Sequence, residues 1–358
     1  MKNAHAVVMA GGAGTRFWPK SRESIPKQFL SLLGSQTLLQ AAFERVRQFI
    51  PKNQTWIVST KDHQSLLAEQ IKSLSESHFI LEPFGKNTAP CIALASLIVH
   101  QHDPDSVLIV LPADHIITNE KRFINICKKA VSLVEEHPDA LVTIGIEPSY
   151  PATGYGYIQL GKKVPNFGEA FKVKTFAEKP DLEVAQKFYL SDEFLWNSGI
   201  FVWRTRTILN YFEELMPDLY DGLMEIRTAL NKKNYDKVLE RVYRQTRSES
   251  IDYGIMEKAG NVMVVKGGFG WSDVGSWDEV YKISSKDSNG NVLKGDIIAK
   301  DVSNTYAEAS DRMIALVGVK HLVVVDMNDV ILICERDQAQ DVKWVVEKLK
   351  RQKRNQLL

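Results

Sequence analysis

The chain has 358 residues, 44% hydrophobic and 25% charged, with a formal net charge of +1. That composition suits a folded protein with one large domain and a smaller one, and the near-zero charge argues against a nucleic-acid partner. Three widely spaced cysteines (Cys91, Cys127, Cys334) without metal-ligand spacing point to buried thiols in a reducing compartment, and no segment reaches the roughly 20 apolar residues of a membrane span.

The first element is an apolar run, His5 to Ala10, that breaks into Gly11-Gly12-Ala13-Gly14-Thr15-Arg16. A buried strand ending in small residues and an arginine suggests a loop folded around an anion. Glycine lets backbone N–H groups approach a ligand, and arginine offers a cationic fork suited to phosphate. The dinucleotide fingerprint fails, because Phe17 stands where a third glycine is needed, and the P-loop pattern fails at Lys20-Ser21. Pro26-Lys27-Gln28-Phe29 then returns a second cation. The N-terminal run is too short for a signal-peptide core, so a cytoplasmic protein with no membrane partner is expected.

Further apolar runs at Thr55–Ser59, Ser106–Leu111 and Ala140–Ile146 alternate with helix-period segments at Thr37–Phe49, Asp62–Leu74, Ala89–His102 and Lys121–His137. Continuous apolar strands joined by helices predict a doubly wound, mostly parallel α/β sheet of Rossmann-like type. Ligands of such sheets sit beyond the carboxyl ends of the strands. The Gly11–Arg16 loop, Glu82-Pro83 and Pro112-Ala113-Asp114-His115 are all expected at that edge. From 150 to 285 the pattern is less regular. Strands are expected at Val173–Glu178 and Gly199–Trp203, and helices at Thr207–Met216, Asp218–Asn231 and Tyr235–Gln245. Short β runs at Asp296–Ala299, Met313–Val317, Leu322–Asp326 and Val330–Cys334 suggest a small β-solenoid, closed by a helix over Arg336–Arg354. The expected domains are 1–288 and 289–358.

Asp114 follows an apolar strand, and Asp273 sits in Trp271-Ser272-Asp273-Val274-Gly275. Two carboxylates from separate loops can chelate one Mg²⁺, which keeps waters and substrate phosphates as its other ligands. Either aspartate alone would read as a turn residue or helix cap. His115 is expected to face the other way and to be structural. Glu178-Lys179-Pro180 puts a hydroxyl acceptor beside a phosphate-seeking ammonium, or else simply caps a strand. Trp196-Asn197-Ser198-Gly199 adds an amide, and Gly154-Tyr155-Gly156 a backbone that a sugar ring can approach. Asn87 or Thr88 either caps the helix that follows or contacts a base edge.

These motifs, in this order and spanning residues 5 to about 335, closely resemble the bacterial mannose-1-phosphate guanylyltransferase (GDP-mannose pyrophosphorylase) family. The resemblance implies a nucleotide-diphospho-sugar transferase fold with a left-handed β-helix-like C-terminal domain. It also implies synthesis of GDP-mannose and pyrophosphate from GTP and α-D-mannose 1-phosphate. On that resemblance, Gly11, Gly12, Ala13, Gly14 and Thr15 with Arg16 would hold the GTP phosphates, and Lys27 would neutralise charge on the α-phosphate. Asp114 and Asp273 would hold Mg²⁺. Glu178, Asn197, Gly199, Gly154 and Tyr155 would hold mannose, and Lys179 its phosphate. Ala10, Pro112 and the loop from Glu82 through Asn87 to Thr88 would frame guanine. The family's long form carries an isomerase domain; this chain ends at Leu358, so isomerase activity is not expected. The resemblance also points to a homodimer. The alternatives are a nucleotidyltransferase for dTTP or UTP and glucose 1-phosphate, a non-catalytic sugar-nucleotide sensor, and a glycosyltransferase. The last would more naturally carry an Asp-x-Asp metal motif.

Overall fold

The computed structural model describes residues 3–12 and 14–358, and the chain divides into two compact units. The first unit comprises Met1–Gly11, Ala42–Ala113 and Ile117–Trp271, and the second Gly12–Ala41, Asp114–Ile116 and Ser272–Leu358. In chain order the elements run β1 Ala4–Met9, α1 Leu38–Arg47, β2 Thr55–Thr60, α2 Gln64–Gln70, β3 Phe79–Glu82, α3 Thr88–His102, β4 Val107–Pro112, α4 Glu120–Glu136 and β5 Leu141–Ile146. Next come β6 Tyr157–Lys163, β7 Ala170–Ala177, α5 Leu182–Leu190, β8 Phe194–Arg204, α6 Thr205–Leu215, α7 Pro217–Ala229, α8 Tyr235–Gln245 and β9 Val262–Gly267.

β1 reads as an unbroken apolar run because it is covered on both faces and paired on both edges. It lies parallel to β2 and to β4, with Val8 opposite Ile57 on one side and Leu111 on the other. The nine strands are ordered β3-β2-β1-β4-β8-β5-β9-β7-β6. The sheet is mixed rather than mostly parallel as expected, because β7 runs antiparallel to both β9 and β6 and β8 is antiparallel to each of its neighbours. β8 runs antiparallel between β4 and β5, and β6 pairs back onto β8, so β8, β5, β9, β7 and β6 close into a five-stranded ring. α3 is buried almost all round, as its near-continuous apolar sequence requires, and packs against α6 and α7.

The second unit continues with α9 Trp277–Ile283, β10 Val292–Lys294, β11 Ile297–Lys300, β12 Tyr306–Glu308, β13 Ile314–Val317, β14 Leu322–Met327, β15 Val330–Glu335 and α10 Val342–Arg351. β10, β12 and β14 stack in parallel, β11 and β13 stack in parallel beside them in the chain, and β15 turns back antiparallel on β14. Strands that return in parallel after each short excursion make this segment β-helix-like. Trp277, fully buried, donates from its indole N–H to the Trp18 carbonyl at 3.2 Å and packs edge-on against Phe17. Trp18 in turn donates to the Leu357 carbonyl at 2.7 Å. Paired tryptophans thus tie the segment after β1 into a core built mostly from the C-terminal residues. The expected terminal helix divides. Arg336–Asp341 forms a tighter 3₁₀ turn, and α10 begins where the buried stripe Val342, Val346, Leu349 begins.

Candidate active site

Within the second unit a cavity of about 380 Å³ is lined by Gly14–Phe17, Lys27, Asp114, His115, Asp273–Gly275 and Lys343. Gly14 has φ +57°, and a Cβ there would lie 2.3 Å from the Lys27 Cβ. Only glycine lets the two segments meet, and Ser21 Oγ holds the turn by donating to the Gly14 carbonyl at 2.7 Å. The Lys27 ammonium donates to Asp114 Oδ2 at 2.8 Å and to the Asp273 carbonyl at 2.5 Å. One buried cation therefore joins three segments far apart in sequence. Burial pushes the Asp114 carboxyl up, but Lys27, then His115, outweigh it and hold the carboxyl below its usual range.

The Asp273 loop is strained. Val274, β-branched and fully buried, has φ +46°, a region such residues rarely enter. Three contacts hold it there. The Val274 amide donates to Ser272 Oγ at 3.1 Å, the Gly275 amide to Glu279 Oε2 at 2.5 Å, and Lys27 grips the Asp273 carbonyl. His115 is not turned away as expected. It lines the cavity, with Nε2 4.0 Å from Asp114 Oδ1, because residues 113–115 form a turn in which strand alternation does not operate. Arg16 lines the cavity and is exposed. Gly11 and Gly12 are exposed with open space about their Cα atoms, Gly12 at φ +116°. Ala13 lies outside the described residues.

A second cluster lies in the first unit. Glu178, Lys179, Asn197 and Gly199 come together there around Gly156, whose Cβ would fall 2.4 Å from Glu178 Oε2. Gly156, rather than Gly154, is the glycine that close packing demands; Gly154 has open space around it. The Asn197 amide is fixed at both ends. Its Oδ1 accepts from Thr143 Oγ1 at 2.9 Å and the Gly199 amide at 3.2 Å, while Nδ2 donates to Asp252 Oδ1 at 2.9 Å. Asp252, missed from sequence, opens a π-helical turn, a feature frequent at functional sites. Burial, then the Glu178 charge, push its carboxyl up to about 7. Lys179 sits at φ +47° with its ammonium 2.7 Å from Glu178 Oε1, a pairing that outweighs burial and raises its pKa. Tyr155 packs edge-on between Trp196 and Trp271.

The residues expected around guanine fare unevenly. Ala10 is buried with its backbone engaged, donating to Val58 and accepting from Ser59 Oγ. Pro112 ends β4 opposite Met9. Asn87 caps α3, its Oδ1 2.8 Å from the Thr88 amide, and Thr88 Oγ1 accepts from the Ile251 amide at 2.9 Å. The Glu82 side chain is corrected: it is 3% exposed and accepts from Tyr243 Oη at 3.1 Å, so its carboxylate faces the core rather than a base. The alternation of β3 turns it inward, a placement that the motif Glu-Pro did not signal.

Burial raises the Glu82 carboxyl from 4.5 to about 7, against smaller opposing hydrogen bonds from Tyr243 and Cys91. The native state therefore keeps a proton that the unfolded chain releases across that interval, and stability falls as pH rises through it. Glu82→Gln removes the effect, so its stability relative to wild type should grow from pH 4.5 to pH 7, by on the order of 3 kcal/mol. Urea midpoints at a series of pH values check this; a constant difference would show the carboxylate to be solvated.

Residues 5–290 match the Nucleotidyl transferase family model, and 295–349 the MannoseP isomerase/GMP-like beta-helix domain. A mannose-1-phosphate guanylyltransferase of Salmonella montevideo is 42% identical over 359 residues, covering 98% of this chain and 74% of the relative. One from Escherichia coli is 39% identical over 356 residues with the same coverage. A Thermus thermophilus crystal structure described as a mannose-1-phosphate geranyltransferase superposes with TM-score 0.87 at 33% identity, covering 97% of this chain and 99% of that one. Among the described residues no helix is long and apolar enough to cross a membrane.

Proposed function

The chain belongs to the mannose-1-phosphate guanylyltransferase family, and from that membership we propose that it makes GDP-mannose and pyrophosphate from GTP and α-D-mannose 1-phosphate. The observation that carries this reading is the Lys27 ammonium, held between the Asp114 carboxylate and the Asp273 carbonyl in a cavity shared with the glycine turn and Arg16. A phosphate oxygen of the sugar phosphate attacks the α-phosphorus of GTP, the bond to the β-phosphate oxygen breaks, and pyrophosphate leaves. The nucleophile is already an anion, so no general base is required, and catalysis rests on positioning and charge neutralisation.

On this reading, Arg16 and backbone N–H groups of the turn take the nucleotide phosphates. Lys27 meets the charge that grows on the transferring and leaving groups. The donor set suits Mg²⁺. Asp114 and Asp273 supply two hard carboxylates to one cavity. A Mg²⁺ held by these two carboxylates would neutralise charge on the nucleotide phosphates. In the other cluster, Glu178 accepts from mannose hydroxyls, Asn197 is held ready by Asp252 and Thr143, and Lys179 takes the sugar phosphate.

We also read residues 1–288 as the catalytic domain and 289–358 as the C-terminal β-helix-like domain, the protein as cytoplasmic, and two copies as associating. The family-model boundaries support the first of these, and the exposed apolar side chains Ile298, Val317, Ile331 and Ile333 the last; light scattering in solution tests it. The reaction itself is tested by pyrophosphate release across nucleotides and sugar phosphates. GTP with mannose 1-phosphate should give the highest kcat/KM, and equal or better turnover of dTTP with glucose 1-phosphate would overturn the assignment.

A further inference from the structure

Besides Arg16 and Lys27, the cavity is lined by a third cationic side chain, Lys343. Lys343 lies in the first turn of α10, and α10 packs against the Thr15–Phe17 turn within the same unit. The packing face of α10 is the stripe Val342, Val346 and Leu349, whereas Lys343 is exposed. Among the described residues Lys343 has no ion-pair partner, and neither has Arg16, while Lys27 is engaged with Asp114.

The charge balance of the lining gives Lys343 its meaning. Without it, the cations Arg16 and Lys27 only cancel the carboxylates Asp114 and Asp273, and a Mg²⁺ held by those carboxylates would balance only part of the negative charge of a polyphosphate. A site for a polyphosphate needs a surplus of positive charge, and a flexible ammonium at the rim supplies it without a fixed geometry. We infer that Lys343 is a further phosphate-binding residue of this cavity, taking the polyphosphate of GTP and the released pyrophosphate, so that the C-terminal helix completes the nucleotide site. This rests on the nucleotidyl-transfer reading for the identity of the polyphosphate, but not for the presence of an anion site.

Inorganic pyrophosphate, titrated calorimetrically into the full chain in MgCl₂, probes the site without turnover. Lys343→Ala should weaken its binding about tenfold, the scale of one charge-assisted contact. It should also raise KM for GTP, and for pyrophosphate in the reverse reaction, by a similar factor. KM for mannose 1-phosphate should stay within about twofold, Lys343→Arg should restore most of the loss, and the deficit should shrink at high salt. The thermal midpoint should not move, because Lys343 lies off the buried stripe of α10. Unchanged pyrophosphate affinity and unchanged KM for GTP in Lys343→Ala would overturn the inference. Should wild type bind pyrophosphate through Lys343 yet fail to turn over GTP and mannose 1-phosphate, the anion site stands and the reaction assignment falls.

Discussion

Replacing Lys27 by methionine is expected to lower kcat about 10²–10³-fold, the usual cost of removing one preorganised donor from a developing charge. That corresponds to roughly 3–4 kcal/mol of transition-state stabilisation. The size follows from how the ammonium is held. Lys27 is buried, its position is fixed by Gly14 behind it, and two oxygens from different segments take its N–H groups. It needs no reorganisation when charge develops. Arginine is no conservative replacement, since a planar fork does not fit a donor shared between a carboxylate and a carbonyl.

The same substitution carries a second signature. The Asp114 carboxyl is held low against the pull of burial, chiefly by Lys27. A carboxyl depressed in the native state contributes stability that is present above its unfolded pKa and lost as pH falls through the native value. In Lys27→Met that contribution shrinks, so the variant should lose more stability at neutral pH than at low pH. Thermal midpoints across a pH series check this, with kcat measured alongside. A variant within threefold of the wild-type rate would remove Lys27 from the chemistry.

Much of the candidate site was legible as a set of residues because it uses residue types that ordinary packing does not favour. The glycine run, Arg16, Lys27 and the aspartates at the ends of apolar runs are conspicuous, and the structure gathers Gly14, Arg16, Lys27, Asp114 and Asp273 around one cavity. What stayed hidden depends on tertiary placement. β8 reads as an apolar strand whichever way it runs, so neither its antiparallel insertion nor the ring closed by β6 shows in its periodicity. Glu82 looks like a loop acid beside Pro83, and only the register of β3 against β2 buries it. Asp252 and Lys343 sit in segments with no motif, and their placement appears only when Asn197 and the cavity beside Lys27 are located. The capture of Gly12–Ala41 by the C-terminal core rests on indole hydrogen bonds linking residues more than 250 positions apart, which local pattern cannot report.

Asp273→Asn separates the charge of the loop from its shape. Three contacts hold the loop through its backbone: Lys27 takes the Asp273 carbonyl, Ser272 takes the Val274 amide, and Glu279 takes the Gly275 amide. The left-handed Val274 and the buried core around it should therefore persist in the variant. What is lost is one of two hard carboxylates facing the cavity, and with it several kcal/mol of charge stabilisation. Turnover with Mg²⁺ should fall about 10²–10³-fold. Glu279 gives an independent check on the fold. Burial, then the Asp273 charge, raise its carboxyl, so the native state holds extra proton and loses stability as pH rises. Neutralising Asp273 relieves part of that penalty. The variant should therefore match or exceed wild type in thermal midpoint at neutral and higher pH, while its turnover collapses. Wild-type turnover would take Asp273 out of the site, and a large fall in thermal midpoint would make its carboxylate a structural element instead.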